Sequence, residues 1–229
     1  MKREIFEDDF ITWRHKTPVG IKVEEIFGMD SKDGKVWLEL ARQIFCEQGG
    51  EYYREIYHFK NGAPYIDGLS ARISISHTDH FFVCAFLPRT PESDLAVFSP
   101  RTAMGVDAES LSRDQVFRVR EKFLSDEELR LVPKEDLRLN IIAWTSKEAL
   151  YKAAMTPGLD FRSSIHLKTL PEIDVTPEKS VEAKLGVAEI IFPESSEIPK
   201  QEMKLYSYES YGCCVTIAFS PKCAKFGGK

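Results

Sequence analysis

The sequence predicts an α+β protein, on three observations. Apolar residues recur at helical spacing in two separate stretches, Val36, Leu40 and Ile44 with Trp37, Ala41 and Phe45 in the first, and "IIAWTSKEALYKAA" (141–154) in the second. Short runs such as "ISISH", "FFVCAF" and "CCVTIAF" have the length and composition of strands. Each helical stretch is followed by strands: the first by "ISISH" and "FFVCAF", the second by "IHLKTL" and "CCVTIAF". That echo of elements is compatible with two similar α+β lobes packed about a pseudo-twofold axis.

Taken in order, residues 1–34 read as irregular and charge-mixed, with turns at "KTPVG" and "SKDGK". "VWLELARQIFCEQGG" reads as a helix stopped by Gly49 and Gly50. "YYREIYHFKNGAPYI" alternates like a strand and turns at Asn61-Gly62. "ARISISHTDHFFVCAFLP" predicts two strands around a polar turn at Thr78-Asp79, ended by Pro88. The proline-bearing run "PRTPESDLAVFSPRT" is a surface connection and the boundary between the lobes. This divides the chain into a lobe over 1–100, a second lobe over 101–222 and a tail over 223–229. "AMGVDAES" then predicts a strand, followed by a helical stretch and by "FLSDEELRLV", where Ser125 and Glu128 have capping-box spacing. After the 141–154 helix, residues 159–220 read as short strands broken by Pro171, Pro177, Pro193 and Pro199.

A chain of 229 residues can bury a sizeable core as one large domain or two small lobes. Its net charge of −5 argues against an extended nucleic-acid surface, which would be basic. No apolar run has the length to span a bilayer, and "MKREIFEDDF" lacks the charged-then-apolar pattern of a signal peptide. The five cysteines (Cys46, Cys84, Cys213, Cys214 and Cys223) are odd in number, sit mostly in apolar runs and lack C-x-x-C spacing. They are expected to be reduced and buried, in a cytoplasmic protein without a zinc site or membrane contact. Cys213 and Cys214 should face opposite sides of a strand.

The chemistry-bearing residues concentrate in two elements. In "MGVDAES", Asp107 and Glu109 alternate with apolar residues and so point to the same face of a strand. In the helix, Trp144, Glu148 and Lys152 are spaced by four and share a face. If Glu148 faces Asp107 and Glu109, three carboxylates converge on one point, a site for a hard cation such as Mg2+. Each residue also has a plain reading: Glu148 and Lys152 as a surface i,i+4 pair, Asp107 as a strand end, Glu109 as a solvated turn residue. Lys147, the neighbour of Glu148, either faces phosphate or is a solvated helix charge.

A G-[IV]-D-x-E strand, a W-[ST]-x-K-E-A-x-x-K helix and an upstream "SISHT" (Ser74–Thr78), in that order, resemble the 4′-phosphopantetheinyl transferase superfamily. The chain length is similar to that of its long, monomeric type. The resemblance favours the two-lobed fold, with the active site between the lobes. It implies transfer of 4′-phosphopantetheine from coenzyme A to a serine of an apo acyl or peptidyl carrier protein, by a monomer and with Mg2+. It assigns Asp107, Glu109 and Glu148 to the metal and makes Glu148 the general base and Lys152 the partner of the phosphoryl oxygens. It sets Ser76 and His77 against the coenzyme A phosphates, where a hydroxyl and an imidazole can both donate. "FLSDEELRLV" resembles the family's F-[SL]-x-x-E element, whose Phe123 and Leu124 either wall a substrate groove or form a hydrophobic staple.

One turn departs from the family. Many relatives carry a basic residue in a G-[KR]-P turn, and here Ala63 stands between Gly62 and Pro64, so that contact is either absent or supplied by Lys60. Arg14, Lys16, Arg42 and Arg54 are candidates for the 3′-phosphate by charge alone. Two other functions stay open: a poorly active relative that binds coenzyme A or a carrier protein, and an unrelated magnesium phosphohydrolase. Retention of Asp107, Glu109, Glu148 and Lys152 favours the active transferase.

Overall fold

The computed structural model describes residues 2–6, 10–18, 20–28, 30, 32, 37, 55–68, 71–88, 103–175, 183–196 and 198–221. The expected helix beyond Trp37, the 88–102 connection past Pro88, Arg42, Arg54, Cys46 and the tail lie outside these residues. The α+β class holds, with strands and helices arranged as two main sheets and a small hairpin.

The first sheet has the order β1 (Lys2–Phe6), β2 (Phe10–Lys16), β3 (Lys22–Phe27), β7 (Phe81–Pro88), β6 (Ala71–His77), each pair antiparallel. Its first three strands correct the expectation that residues 1–34 are irregular. Their charged residues hide the alternation that marks a half-buried strand, and Glu24 and Glu25 on β3 are themselves buried. A two-stranded hairpin, β4 (Ile56–His58) with β5 (Pro64–Ile66), turns at Asn61-Gly62 as expected.

The second sheet runs β8 (Met104–Ser110), β13 (Cys213–Phe219), β12 (Lys200–Ser210), β11 (Gly186–Ile191), β9 (Ile165–Thr169), with the short β10 (Ile173–Asp174) beside β12. β12 and β13 join through Tyr211-Gly212, both at positive φ, the backbone that a tight two-residue hairpin requires. Three helices follow β8: α1 (Val116–Phe123), α2 (Asp126–Leu131) and α3 (Leu137–Ala154). α2 opens with the expected capping box. α3 starts earlier than the sequence suggested because Asp136 caps it, accepting from the Leu139 N–H.

Strand alternation sorts side chains into two apolar layers. Met104, Val106, Ala108, Tyr208, Val215 and Ile217 of the second sheet pack with Val23, Phe81, Val83 and Ala85 of the first. The opposite face of the second sheet, with Cys214 and Ala218, packs against α1 and α3 through Phe123, Ile142, Ala149 and Ala153. Cys213 and Cys214 fall in different layers, as expected, and with Cys84 are buried free thiols. Phe123 and Leu124 both lie in the helix-side core, with Phe123 edge-on to Trp144 at 5.0 Å. This burial fits the staple reading and removes them from any groove wall. No helix among the described residues is long and apolar enough to cross a membrane.

Candidate active site

β8 and β6 are edge strands of different sheets, and they lie against each other at the seam. Side chains stitch that seam: Ser74 Oγ accepts from the Val106 N–H at 3.0 Å, and Ser76 Oγ donates to Asp107 Oδ1 at 2.7 Å. On the other side of β8 the helix comes unusually close. A Cβ at Gly105 would lie 2.1 Å from the Ala149 carbonyl, so only glycine lets α3 settle here. That approach brings the helix face bearing Glu148 and Lys152 onto the strand face bearing Asp107 and Glu109.

Asp107 is the hub. Its Oδ1 accepts from Ser76 and from Lys152 Nζ, the latter at 2.8 Å, although the residue is only 6 % exposed. Lys152 also donates to the carbonyls of Val106 (3.2 Å) and Ile75 (3.3 Å), so one ammonium ties the helix to both edge strands. Glu109 pairs with Arg113 and accepts from the Ser110 N–H. Burial raises the carboxyl of Glu109 above its ordinary range; Arg113 opposes the rise and Asp107 adds to it. Glu148 is pushed up to about 7, first by burial, then by the charge of Asp107, with Lys152 opposing and Glu109 adding. Glu148 thus feels the charges of both Asp107 and Glu109.

The three carboxylates do not form a closed cage. Among the described residues no group of three or more His, Cys, Asp or Glu side chains is placed to hold a metal ion as the chain stands. Lys152 pairs with Asp107, and Arg113 with Glu109. The donor set itself suits a hard divalent ion: carboxylates, with no thiol or imidazole among them, and with the charge of Asp107 raising the carboxyls of Glu109 and Glu148. Arg113 is half exposed and has room to swing aside.

A cavity of ≈ 540 Å³ opens beside these groups. Its walls include Ala63, Arg72, Ser76 and His77 from the first sheet and hairpin, with Asp107, Glu148 and Lys152 opposite. A second, more polar cleft of ≈ 570 Å³ lies on the far side, with Glu109, Ser112 and Arg113, and shares His77 with the first. Residues 103–214 match the family model of the 4′-phosphopantetheinyl transferase superfamily. The match spans β8, all three helices and the second sheet into β13, just under half of the chain. It supports phosphopantetheine transfer as the class of activity, and hence a transferase. No curated protein matches the chain.

Within the matched segment, one site expectation fails. Lys147 neither lines the cavity, where it could face phosphate, nor sits in solvent. It is fully buried, with Nζ 2.7 Å from the Glu128 carboxylate and further bonds to the Phe161 and Ile165 carbonyls. Lys60 is exposed on the hairpin turn and is not among the residues lining the cavity, whereas its neighbours Asn61 to Pro64 are. His77 is exposed at the mouth, stacked on Phe82 and edge-on to Trp37, each at 5.4 Å. Ser76 lines the cavity, but its proton is directed to Asp107.

Sequence reasoning missed two residues of this segment's surroundings. Arg72 is buried in the cavity wall and donates to the Ala153 carbonyl in the last turn of α3 at 2.7 Å. Arg113 follows Glu109 by four residues, a spacing that would have signalled a pair only on a helix. Asn61 was seen as a turn residue, yet its amide also donates to the Met155 carbonyl just past α3, tying hairpin to helix.

Proposed function

We propose that the chain transfers 4′-phosphopantetheine from coenzyme A to a serine of an apo acyl or peptidyl carrier protein. In this reading it works with Mg2+, as a cytoplasmic monomer of the long type. Its two sheets, each with its flanking elements, would be the lobes of the pseudo-twofold fold, over 1–100 and 101–222. The observation that carries the proposal is the grouping of Asp107, Glu148 and Lys152 at a ≈ 540 Å³ cavity on the seam, within the range of small-molecule sites, with Glu109 in the neighbouring cleft. The family match over 103–214 supports the same reading.

The carrier's serine oxygen attacks the β-phosphorus of coenzyme A, forming the new O–P bond as the bridging P–O bond to 3′,5′-adenosine diphosphate breaks. The serine proton must leave as that bond forms. Glu148, with a carboxyl lifted to about 7, is matched to take it near neutral pH. Lys152, held by Asp107 and two strand carbonyls, presents positive charge where the phosphoryl oxygens gain negative charge. Asp107, Glu109 and Glu148 would hold Mg2+, which when bound neutralises phosphate charge. Ser76 and His77 would face the coenzyme A phosphates from the opposite wall. With Lys147 withdrawn into the core, the phosphate-side cations of the cavity wall are Arg72 and Lys152.

Incubation with coenzyme A, MgCl2 and a panel of apo-carrier proteins, read by intact mass, tests the reaction. A carrier gaining the phosphopantetheine mass only when both coenzyme A and metal are present supports it. No mass gain on any carrier overturns it. The alternative reading is a protein that grips coenzyme A or a carrier protein but turns over poorly. It predicts coenzyme A binding without mass gain.

A further inference from the structure

The withdrawal of Lys147 from the cavity gives it a different task. Lys147 and Glu128 are 0 % and 2 % exposed. Every polar atom of the pair is engaged. Nζ lies 2.7 Å from each Glu128 oxygen and donates to the carbonyls of Phe161 (2.7 Å) and Ile165. Glu128 accepts from the Ser125 N–H at 2.7 Å and the Leu167 N–H at 2.6 Å, while its own N–H bonds to Ser125 Oγ. One ion pair therefore joins α2, α3, β9 and the loop that follows α3.

Removing two charges from water is expensive, and an apolar pair of similar volume is often as stable or more so. Stability alone therefore does not explain a buried pair that is satisfied so completely. Its position on α3 suggests what it does. Lys147 immediately precedes Glu148, about 100° around the helix. Fixing Lys147 on one flank fixes the direction in which Glu148 points, just as Gly105 fixes the distance between α3 and β8. An apolar replacement fills the volume but loses the directional bonds that fix the rotation of the helix at this point. The hydrogen-bonded fork keeps it fixed, because its partners lie on three other elements.

We propose that Lys147, held by Glu128, is a positioning residue that sets the rotation of α3 and so aims Glu148 and Lys152 at Asp107. The inference rests on the proposed transfer reaction. Misplacing a reacting group by about 1 Å can cost about 10²-fold in rate, and ground-state binding of coenzyme A, which draws on both cavity walls, is much less sensitive.

The test compares wild type, Lys147→Met and the double variant Lys147→Met/Glu128→Leu in the apo-carrier assay, with thermal unfolding of each. The single variant leaves Glu128 charged and unpaired and should lose stability. The double variant leaves no charge at this place but also strips the Ser125 and Leu167 N–H groups of their acceptor, so it should regain only part of the melting temperature. Both, assayed below their melting points, should show kcat about 10²-fold lower with KM for coenzyme A within about threefold of wild type. Partial recovery of stability without recovery of kcat separates aim from fold. Wild-type kcat in either folded variant overturns the inference and leaves the reaction standing. A double variant that does not fold also overturns it, because the pair would then hold the fold and not the aim. A wild type that transfers nothing overturns the reaction first, and the positioning role with it.

Discussion

Glu148 has neighbours that oppose its ionisation, and this decides how it responds to substitution and to pH. Burial and the charges of Asp107 and Glu109 outweigh Lys152 and lift its carboxyl to about 7. Glu148→Gln keeps the shape but removes the base, so turnover should fall by about 10²–10⁴ with coenzyme A affinity nearly unchanged. Near-normal turnover in that variant would reduce Glu148 to the helix partner of Lys152. The raised pKa also has a sign that can be checked with metal alone. Below about 7 the group carries a proton that a divalent ion must displace. Titration of the protein with Mn2+ in buffers of different ionisation enthalpy should show proton release at pH 6 that fades by pH 8, with affinity rising across that interval. Proton release that does not change with pH would remove Glu148 from the metal set.

At the scale of elements, the pairing of β8 with α3 is what builds the site. The two are pressed together at Gly105, where a Cβ would meet the Ala149 carbonyl at 2.1 Å and the Ala153 nitrogen at 2.6 Å. Both obstacles are backbone, which cannot turn away as a side chain can. Gly105→Ala should therefore push α3 off the strand, costing about 1–3 kcal/mol as overpacking does. The Lys152 bonds to Asp107 and to two strand carbonyls would be stretched at the same time. Urea unfolding and carrier turnover on one preparation would test this. The expected result is a lower midpoint with a larger loss in kcat than in KM. A fully stable, fully active alanine variant would show that the helix can stand further away.

At the scale of the whole molecule, a buried carboxyl of the first sheet is held by the second. Glu25 of β3 accepts from Tyr208 (2.5 Å) and Ser210 (2.7 Å) of β12, across the layer between the sheets. Burial lifts it from 4.5 to about 7 against those two hydrogen bonds. For an acid raised in the folded state, the folded chain holds a proton that the unfolded chain has given up. Its contribution to stability is full below about 4.5 and is lost as pH rises through about 7. The linkage is worth on the order of 3 kcal/mol over that span. Glu148 adds a contribution of the same sign. The melting temperature should fall between pH 5 and pH 8 in buffers of equal ionic strength, and Glu25→Gln should flatten part of that fall. An unchanged slope in the variant would mean that Glu25 titrates normally.

The sequence by itself determined the local features: the Asp107–Glu109 alternation, the 141–154 helix, the Ser125–Glu128 capping box and the turn at Asn61-Gly62. Each is set by neighbours within a few residues, through strand period, helical spacing or a side chain reaching its own backbone. Residues 1–34 escaped the same reading because their strands carry charge where a half-buried strand would normally alternate. Tertiary structure alone decided which polar groups face inward. Lys147 and Glu128 carry nothing in their spacing, 19 residues apart, that marks them as partners. Arg72 and Ala153, or Asn61 and Met155, are further apart still. A lysine reads as a surface charge until the fold shows that acceptors from three other elements surround it. Burial and its compensation depend on which elements pack together, and local sequence does not encode that.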